Sequence, residues 1–578
     1  MDRLKGARLP NTTAGAAKAR VDGLGERERA VLEMASIFGP VFWFGGVLSM
    51  LRVEREADSD DAGAPRAWVD DKRESRLNAT LLEMQSQDLI EFKPDSGLPG
   101  EVAFSFINPI EQQRVAAELA PERRSLLHRL AAQWLAQVAP RDSFQIQEVV
   151  AWHLETGGAN ECAGDAYRRA AELARGTWQN RRAVDHLRRA LSLYDITMAE
   201  KKCAACDALA ELLGLLGEYG EARAASMELL YLSTVLTSRV WGGRAYHRLG
   251  QTARQQGDYK TAMELLERAL KLFQEASDHN GIASALDDIG RVHWYRGEYG
   301  SYREALSYFL KSLSLRRRAG NERAIALSLG NIGNIHLGRG QFKQAEESFK
   351  EALDIRRRLA DRWGMALSLI GMGAVHHECG RVGDATEAWE EGLGIATEVG
   401  DRELQAILQN NLGEAKLALG IPADAEPLLA SAHETAAEIG DKRTLADVLR
   451  NKATLARMRG HYERALELVR DSAKIGEAIE GKQLIGNALR TEADILAELL
   501  KRPLTPATSS ALQPDSDKLA SDCYQRSMSY FEEMGDTLGL ARSMRSYGNF
   551  LLDRGVVNKA RKLLTRADEV LAEVGARA

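Results

Sequence analysis

A small residue returns at a fixed interval along most of this chain. Ala210, Gly250, Gly290, Gly333, Gly373, Gly413, Ala453, Ala493 and Gly548 are separated by 40, 40, 43, 40, 40, 40, 40 and 55 positions. A period of this length belongs to stacked arrays, in which one supersecondary unit cannot bury its apolar face alone. Seven residues after most anchors stands a second glycine: Gly217, Gly257, Gly297, Gly340, Gly380, Gly420, Gly460 and Gly555. Five residues further comes Ala222, Ala262, Ala345, Ala385, Ala425, Ala465 or Ala560. The departures are insertions between the two halves of a unit. GEYGSYREA moves the alanine to Ala305, and KRPLTPATSSALQPDSD delays it to Ala520.

A third mark lies between units, at Ser277-Asp278, Gly320-Asn321, Ala360-Asp361, Gly400-Asp401, Gly440-Asp441 and Gly535-Asp536. Glycine ends a helix in the left-handed conformation. Asp or Asn then caps the next helix, its side chain accepting from free backbone N–H groups. Apolar residues in LSLGNIGNIHL and AEESFKEALDI recur at three- and four-residue steps, the helical period. Each unit therefore reads as helix, tight glycine turn, helix, stop and start. The small anchors let the paired helices approach closely.

This pattern resembles the tetratricopeptide repeat (TPR) in a 40-residue form with extended helices. The resemblance rests on the Leu/Ile-Gly pairs Leu249-Gly250, Ile289-Gly290, Ile332-Gly333 and Leu412-Gly413. It rests also on the turns Gly257-Asp258-Tyr259 and Gly297-Glu298-Tyr299, with the alanine that follows. It implies an all-α superhelical solenoid of about ten units from Ala171 to the C-terminus, within a domain spanning 141–578, and a concave groove. In such proteins the first helix of each unit lines the groove. Its ligand-facing positions fall one residue after the anchor and two or three before it. Here those are Asp287, Arg291, Asn331, Asn334, Asn410, Asn411, Glu414, Arg450 and Asn451. An asparagine amide both donates to and accepts from a peptide backbone.

Upstream the period stops. A helix is expected over Glu26 to Ile37, an acidic insert EREADSDDAGAPRAWVDD follows, and a second helix runs from Glu74 to Gln87. DLIEFKPDSGLPGEVAFSFIN reads as two short strands around a Pro-Gly turn. Helices followed by a two-stranded wing suggest a small winged-helix-like domain over 21–140, after a disordered basic tail, 1–20. The segments AVLEMASIFGPVFWFGGVL, LLEMQSQDLIEF and FSFINPIEQQRVAAELAPERRSLLHRLAAQWL, in this order, are similar to the region downstream of the nucleotide-binding core in STAND-type signalling ATPases. That resemblance implies bacterial signalling and a winged helix that couples domains. The ATPase itself does not precede these segments, so a fragment of a larger ATPase and a stand-alone regulatory half are both open.

Composition narrows the function. The formal net charge is −6, and residues 21–140 alone sum to about −7. DNA readers carry a basic stripe that releases counterions, so the charge argues against nucleic acid. Five cysteines in 578 residues, an odd number at low density, fit the cytoplasm rather than a disulfide framework. The uncharged run Met34 to Leu51 barely reaches spanning length, and Gly39-Pro40 is expected to break it into two short helices. No nucleophile elbow, HExxH or dinucleotide fingerprint occurs, so no enzyme, cofactor or metal is expected.

Four weaker motifs have bland readings. Gly476 to Gln483 lacks the Ser or Thr that a phosphate loop needs after Lys482. Cys203-Ala-Ala-Cys206 has no second pair to complete a zinc site. His293, His336 and His376 form a column three residues after the anchors, where a packing side chain is expected. Arg316, Arg317, Arg356 and Arg357 form a secondary basic ridge that could hold an acidic peptide or phosphate, set against a solvated ridge paired with Glu322 or Asp361. The sequence thus points to a non-enzymatic scaffold or regulator binding a protein or peptide in the TPR groove. The alternatives are a winged-helix transcription regulator with a TPR sensor, and a regulatory subunit of a separate effector enzyme. The Pro/Ser-rich insert, 502–517, reads as an exposed loop.

Overall fold

The computed structural model describes residues 13–56, 71–140, 143–296, 301–502 and 515–574. Most of the basic tail, the acidic insert, the turn insertion at 297–300 and most of the Pro/Ser-rich insert lie outside the described residues. The chain forms two compact units, 1–177 with 181–198, and 178–180 with 199–578.

The first unit carries helices α1 (Thr13–Asp22), α2 (Glu26–Ser36), α3 (Phe44–Glu56), α4 (Asp71–Ser86), α5 (Pro109–Glu118), α6 (Pro121–Val138), α7 (Phe144–Thr156), α8 (Asn160–Gly176) and α9 (Asn180–Leu193). Its strands β1 (Val41–Trp43), β2 (Ile90–Lys93) and β3 (Ala103–Phe106) make an antiparallel sheet in the order β1-β3-β2. The β2–β3 hairpin after α4 is the wing expected from the sequence. β1 is an addition, pairing Phe42 with Phe104. The break expected at Gly39-Pro40 separates α2 from α3, with β1 added between them. The fixed φ of Pro40 starts an extended segment that β3 captures. No described helix is long and apolar enough to cross a membrane. Val31, Leu32, Phe42, Leu81, Met84 and Phe104 meet in one core. Helices α7 to α9, read from sequence as the start of the solenoid, group with this unit instead.

The second unit is nine helix pairs among the described residues. They are α10 (Ala199–Leu215) with α11 (Tyr219–Val235), α12 (Arg239–Gln255) with α13 (Tyr259–Glu275), and α14 (His279–Arg296) with α15 (Ser301–Ala319). Next come α16 (Glu322–Gly338) with α17 (Phe342–Arg358), α18 (Arg362–Glu378) with α19 (Val382–Val399), and α20 (Arg402–Ala418) with α21 (Pro422–Ile439). The last are α22 (Lys442–Met458) with α23 (Tyr462–Ala478), α24 (Lys482–Leu499) with α25 (Ser516–Met534), and α26 (Thr537–Asp553) with α27 (Val557–Val574).

The caps follow the sequence reading. Gly400, Gly440 and Gly535 are left-handed, and Asp401, Asp441 and Asp536 accept from the N–H groups of Leu404, Thr444 and Gly539 at 2.9, 3.1 and 2.8 Å. Ser277 and Ala360 take the same conformation without glycine, at φ 55° and 50°. The glycine anchors face a bulky residue of the second helix, sixteen positions on, or nineteen where the three-residue insertion lies between. A Cβ at Gly290, Gly333 or Gly413 would stand 2.7–2.8 Å from Phe309, Phe349 or Leu429.

The pairs also coil back on themselves. The glycine turn of one pair meets the junction that closes the pair five places later. A Cβ at Gly217 would lie 2.7 Å from Ile439 Cβ, and one at Gly257 would lie 2.6 Å from Ile479 Cγ2. Tyr302 packs with Phe531 and Met534, and Thr537 Oγ1 donates to the Arg339 carbonyl at 3.0 Å. A cleft of about 530 Å³ opens where the first turn meets this later junction, lined by Tyr219, Arg223, Gln256 and Lys442.

The anchor geometry generates a test. A Cβ at Gly373 would sit 2.3 Å from Trp389 Nε1, whereas Gly394 is exposed and has nothing within 4 Å. Gly373→Ala should lower stability by about 1–3 kcal/mol through overpacking. Gly394→Ala should raise it by about 0.5–1 kcal/mol through helix propensity. Urea unfolding of both variants checks this, and equal effects would refute the close approach.

Candidate partner-binding face

The first helix of each pair turns one face inward, carried by positions three and two before the anchor and one after it. Successive helices are joined there by side chains about one repeat apart. Asp207 of α10 accepts from Arg248 Nε of α12 at 2.7 Å and from Arg244 at 3.1 Å. His247 of α12 meets Asp288 Oδ2 of α14 at 2.8 Å, and Gln251 donates to the same oxygen at 2.8 Å. Asn451 of α22 donates to Asn410 Oδ1 of α20 at 2.9 Å.

Charge on this face is largely matched internally. Asp288 is buried, which disfavours its charge, yet Arg291 (3.3 Å), His247 and Arg254 hold its carboxyl well below the usual range. Burial pushes the adjacent Asp287 up to about 6, against Arg316 and Arg291. Glu414 is held down at about 2, where Arg450 at 3.3 Å overcomes the cost of desolvation. Arg542 of α26 forks onto both oxygens of Glu378 in α18, four pairs away.

The residues expected in the groove divide accordingly. Asp287, Asn331, Asn410 and Asn451 are buried, the first paired with Arg316 and the last two with each other. Arg291 and Arg450 are mostly covered and engaged with acids. Asn334, Asn411 and Glu414 stay partly exposed. Around them the same face of α18 and α20 offers Leu367, Ile370, Ala374 and Ile407, all partly exposed.

The basic ridge is corrected. Arg316 and Arg356 are not on it: both are buried, at 4% and 2% exposure. Arg316 pairs with Asp287 and donates to the Ala324 carbonyl at 2.8 Å, and Arg356 donates to Ser368 Oγ at 2.6 Å. The helical period turns the first arginine of each triplet into the solenoid. Only Arg317 and Arg357 remain exposed, and Arg317 faces Glu351 at 3.4 Å.

The other motifs are structural. His293 stacks on Tyr308 and faces Glu304 at 3.2 Å, and His336 Nδ1 lies 2.7 Å from Gln341 Oε1. Cys203 and Cys206 are buried, and burial pushes their thiols up to about 11 and 12. Gly476 lies inside α23 and Gly481 just before α24, with no strand between them. On α4, the helix before the wing, exposed Lys72 and Arg76 alternate with Glu74 and Glu83, so it carries no basic stripe.

Sequence reasoning missed the acid cluster where turns of the coil meet. Glu403 of α20 accepts from Gln255 of α12 at 3.4 Å. Burial raises its carboxyl to about 7, Asp441 and Asp401 add to the rise, and Arg254 opposes it. Tyr219 faces the same acids. No local pattern marks this group, because its partners lie about 150 residues away. Arg542 and Glu378 were missed for the same reason.

Two family models match the solenoid: a MalT-like TPR region over residues 250–483 and a tetratricopeptide repeat over 203–275. No curated protein matches the chain in sequence. Among solved structures, a Rap protein complexed with competence and sporulation factor is similar at 11% identity and a TM-score of 0.49, covering 66% of this chain and 99% of that one. A STAND protein with a tetratricopeptide-repeat sensor from Pyrococcus horikoshii is similar at 16% identity and 0.47, covering 82% and 68%. A Rap conjugation gene regulator of plasmid pLS20, in complex with the Phr* peptide, gives 14% and 0.42, covering 62% and 95%.

The Glu403 cluster predicts a pH effect. A carboxyl raised above its ordinary value destabilises the fold when charged, and that penalty is relieved as pH falls through the raised value. Between pH 8 and pH 6.5 the melting temperature should rise as pH falls. Glu403→Gln should raise it at pH 8 and flatten the slope. The comparison is made above pH 6.5 because buried His128 and His153, depressed to about 4 and about 3, act in the opposite direction below it. An unchanged slope in the variant would refute the assignment.

Proposed function

The solenoid is a tetratricopeptide-repeat array, and from that premise we propose that the protein is a non-enzymatic scaffold or regulator in bacterial signalling, holding a segment of another protein on the inner face of its middle repeats. The observation that carries this reading is the contrast along that face. In the first repeats the polar groups are largely engaged with one another, as in Arg248–Asp207 and His247–Asp288. Over α16 to α20 they give way to partly exposed Leu367, Ile370 and Ile407 beside the amides of Asn334 and Asn411. Apolar positions flanked by groups that both donate and accept suit a peptide, whose side chains take the first and whose backbone takes the second. A rigid array loses little entropy on binding, because its side chains are already held by their neighbours.

The winged-helix-like sheet and helices upstream support a coupling role toward an effector carried on another chain. The mixed charge of α4 gives no support to a DNA-reading role.

A photo-crosslinking side chain at Asn411, compared with one at exposed Lys350 on the outer helix α17, tests this in native lysate. One crosslinked protein seen from position 411 and absent from position 350 is the expected result. No adduct at 411, or the same adducts at both positions, would overturn the reading.

A further inference from the structure

Among the described residues, the arginines at one repeat position of the inner face differ in whether they have an acidic partner. Arg450 of α22 pairs with Glu414, and Arg542 of α26 pairs with Glu378. Between them, on α24, Arg490 has no acid within ion-pair distance. Its single hydrogen bond is a long one, 3.4 Å, to Asn487 Oδ1 one turn back on its own helix. Its Nε is shielded from solvent and has no acceptor. Asp494, one turn on, attracts Arg490 by charge but spends its hydrogen bond on the Tyr524 hydroxyl, from which it accepts at 2.7 Å. Burial disfavours its charged form, and the like charges of Arg542 and Arg450 add to that, against the opposing charges of Asp494 and Glu414.

The next inner helix repeats the feature. Arg545 holds the same place relative to anchor Gly548 as Arg490 does to Ala493 and Arg450 to Ala453. It too has no acidic partner, and it is partly exposed. Three successive inner helices thus carry an arginine at one repeat position, and the last two are unmatched. A largely buried guanidinium with no hydrogen-bonded carboxylate gains when an anion arrives, and its planar fork suits a carboxylate.

We propose that Arg490, supported by Arg545, is a recognition site for a carboxylate of the bound partner, so that the segment held on the inner face is acidic toward this end. This rests on the reading of the inner face as a partner site and specifies the chemistry of that partner. A carboxylate could come from an Asp or Glu side chain or from a chain terminus, and the test separates these sources.

The experiment uses the full chain and fluorescein-labelled decaglutamate, with the C-terminus free or amidated, in a polarisation titration at low salt. Decalysine is the charge control, and inorganic phosphate is the competitor. Saturable binding of decaglutamate, weakened at least tenfold in Arg490→Gln and unchanged in Arg317→Gln, is the expected result. Equal binding of the free and amidated peptides assigns side-chain carboxylates, and binding of the free form alone assigns the terminus. Displacement by millimolar phosphate as effective as by unlabelled peptide would overturn the carboxylate assignment. The melting temperature of the free protein supplies a second readout. An unmatched arginine should leave it unchanged or raised in Arg490→Gln, whereas a clear fall would make Arg490 structural and sink the proposal. A partner crosslinked at Asn411 whose capture is insensitive to Arg490→Gln would defeat this inference and leave the proposed function standing. Absence of any such adduct would defeat the function, while the titration still reports on the site.

Discussion

The close approach of two helices at a small residue sets the geometry of the whole solenoid. Gly290, Gly333, Gly373 and Gly413 each leave room for a bulky side chain from the second helix of the same pair: Phe309, Phe349, Trp389 and Leu429. A methyl group at any of these points would collide with a packed interior, which has no slack to absorb it. Because the same contact recurs at nearly the same spacing, each pair is related to the next by nearly the same rotation. That repeated rotation brings the glycine turn of one pair onto the junction five pairs later. The coil is thereby closed by Gly217 against Ile439 and by Gly257 against Ile479.

Closing the coil has an electrostatic consequence. Inner-face side chains lose water, so charged groups there need partners. Asp287 with Arg316, Asp288 with Arg291, and Arg542 with Glu378 meet that need. Such pairs add little net stability over apolar residues, but removing one member costs about 3–5 kcal/mol because the other is left buried and charged. Their effect here is to hold the inner helices in register. Glu403 shows the opposite case, an acid placed among Asp401 and Asp441 and kept by its position in the coil.

Much of the fold was legible because it is written in local chemistry at fixed spacing. The anchors, the glycine turns and the Asp caps at 401, 441 and 536 need only their own neighbours to be read. Strand β1 was not legible, since three residues between breakers leave no period to detect. The inner face was legible by position and not by state. Asn410 and Asn451 could be placed inward, but not seen to bond each other, because that depends on the rotation between pairs. Arg316 looked like part of an exposed triplet, and its partner Asp287 is 29 positions away on the preceding helix. Contacts such as Gln255 with Glu403 depend on the return of the coil, which no window of sequence contains.

The return of the coil is the claim on which the inner face depends, and a distance measures it directly. Gly220 and Glu438 are exposed and lie on opposite walls of the cleft between the first turn and the junction five pairs later. With the exposed Cys162 and the partly exposed Cys379 replaced by serine, spin labels on cysteines at 220 and 438 can be read by pulsed electron resonance. A single narrow population at short distance is the result this account predicts. A broad population at long distance would mean that the turns do not pack on one another, and would contradict it.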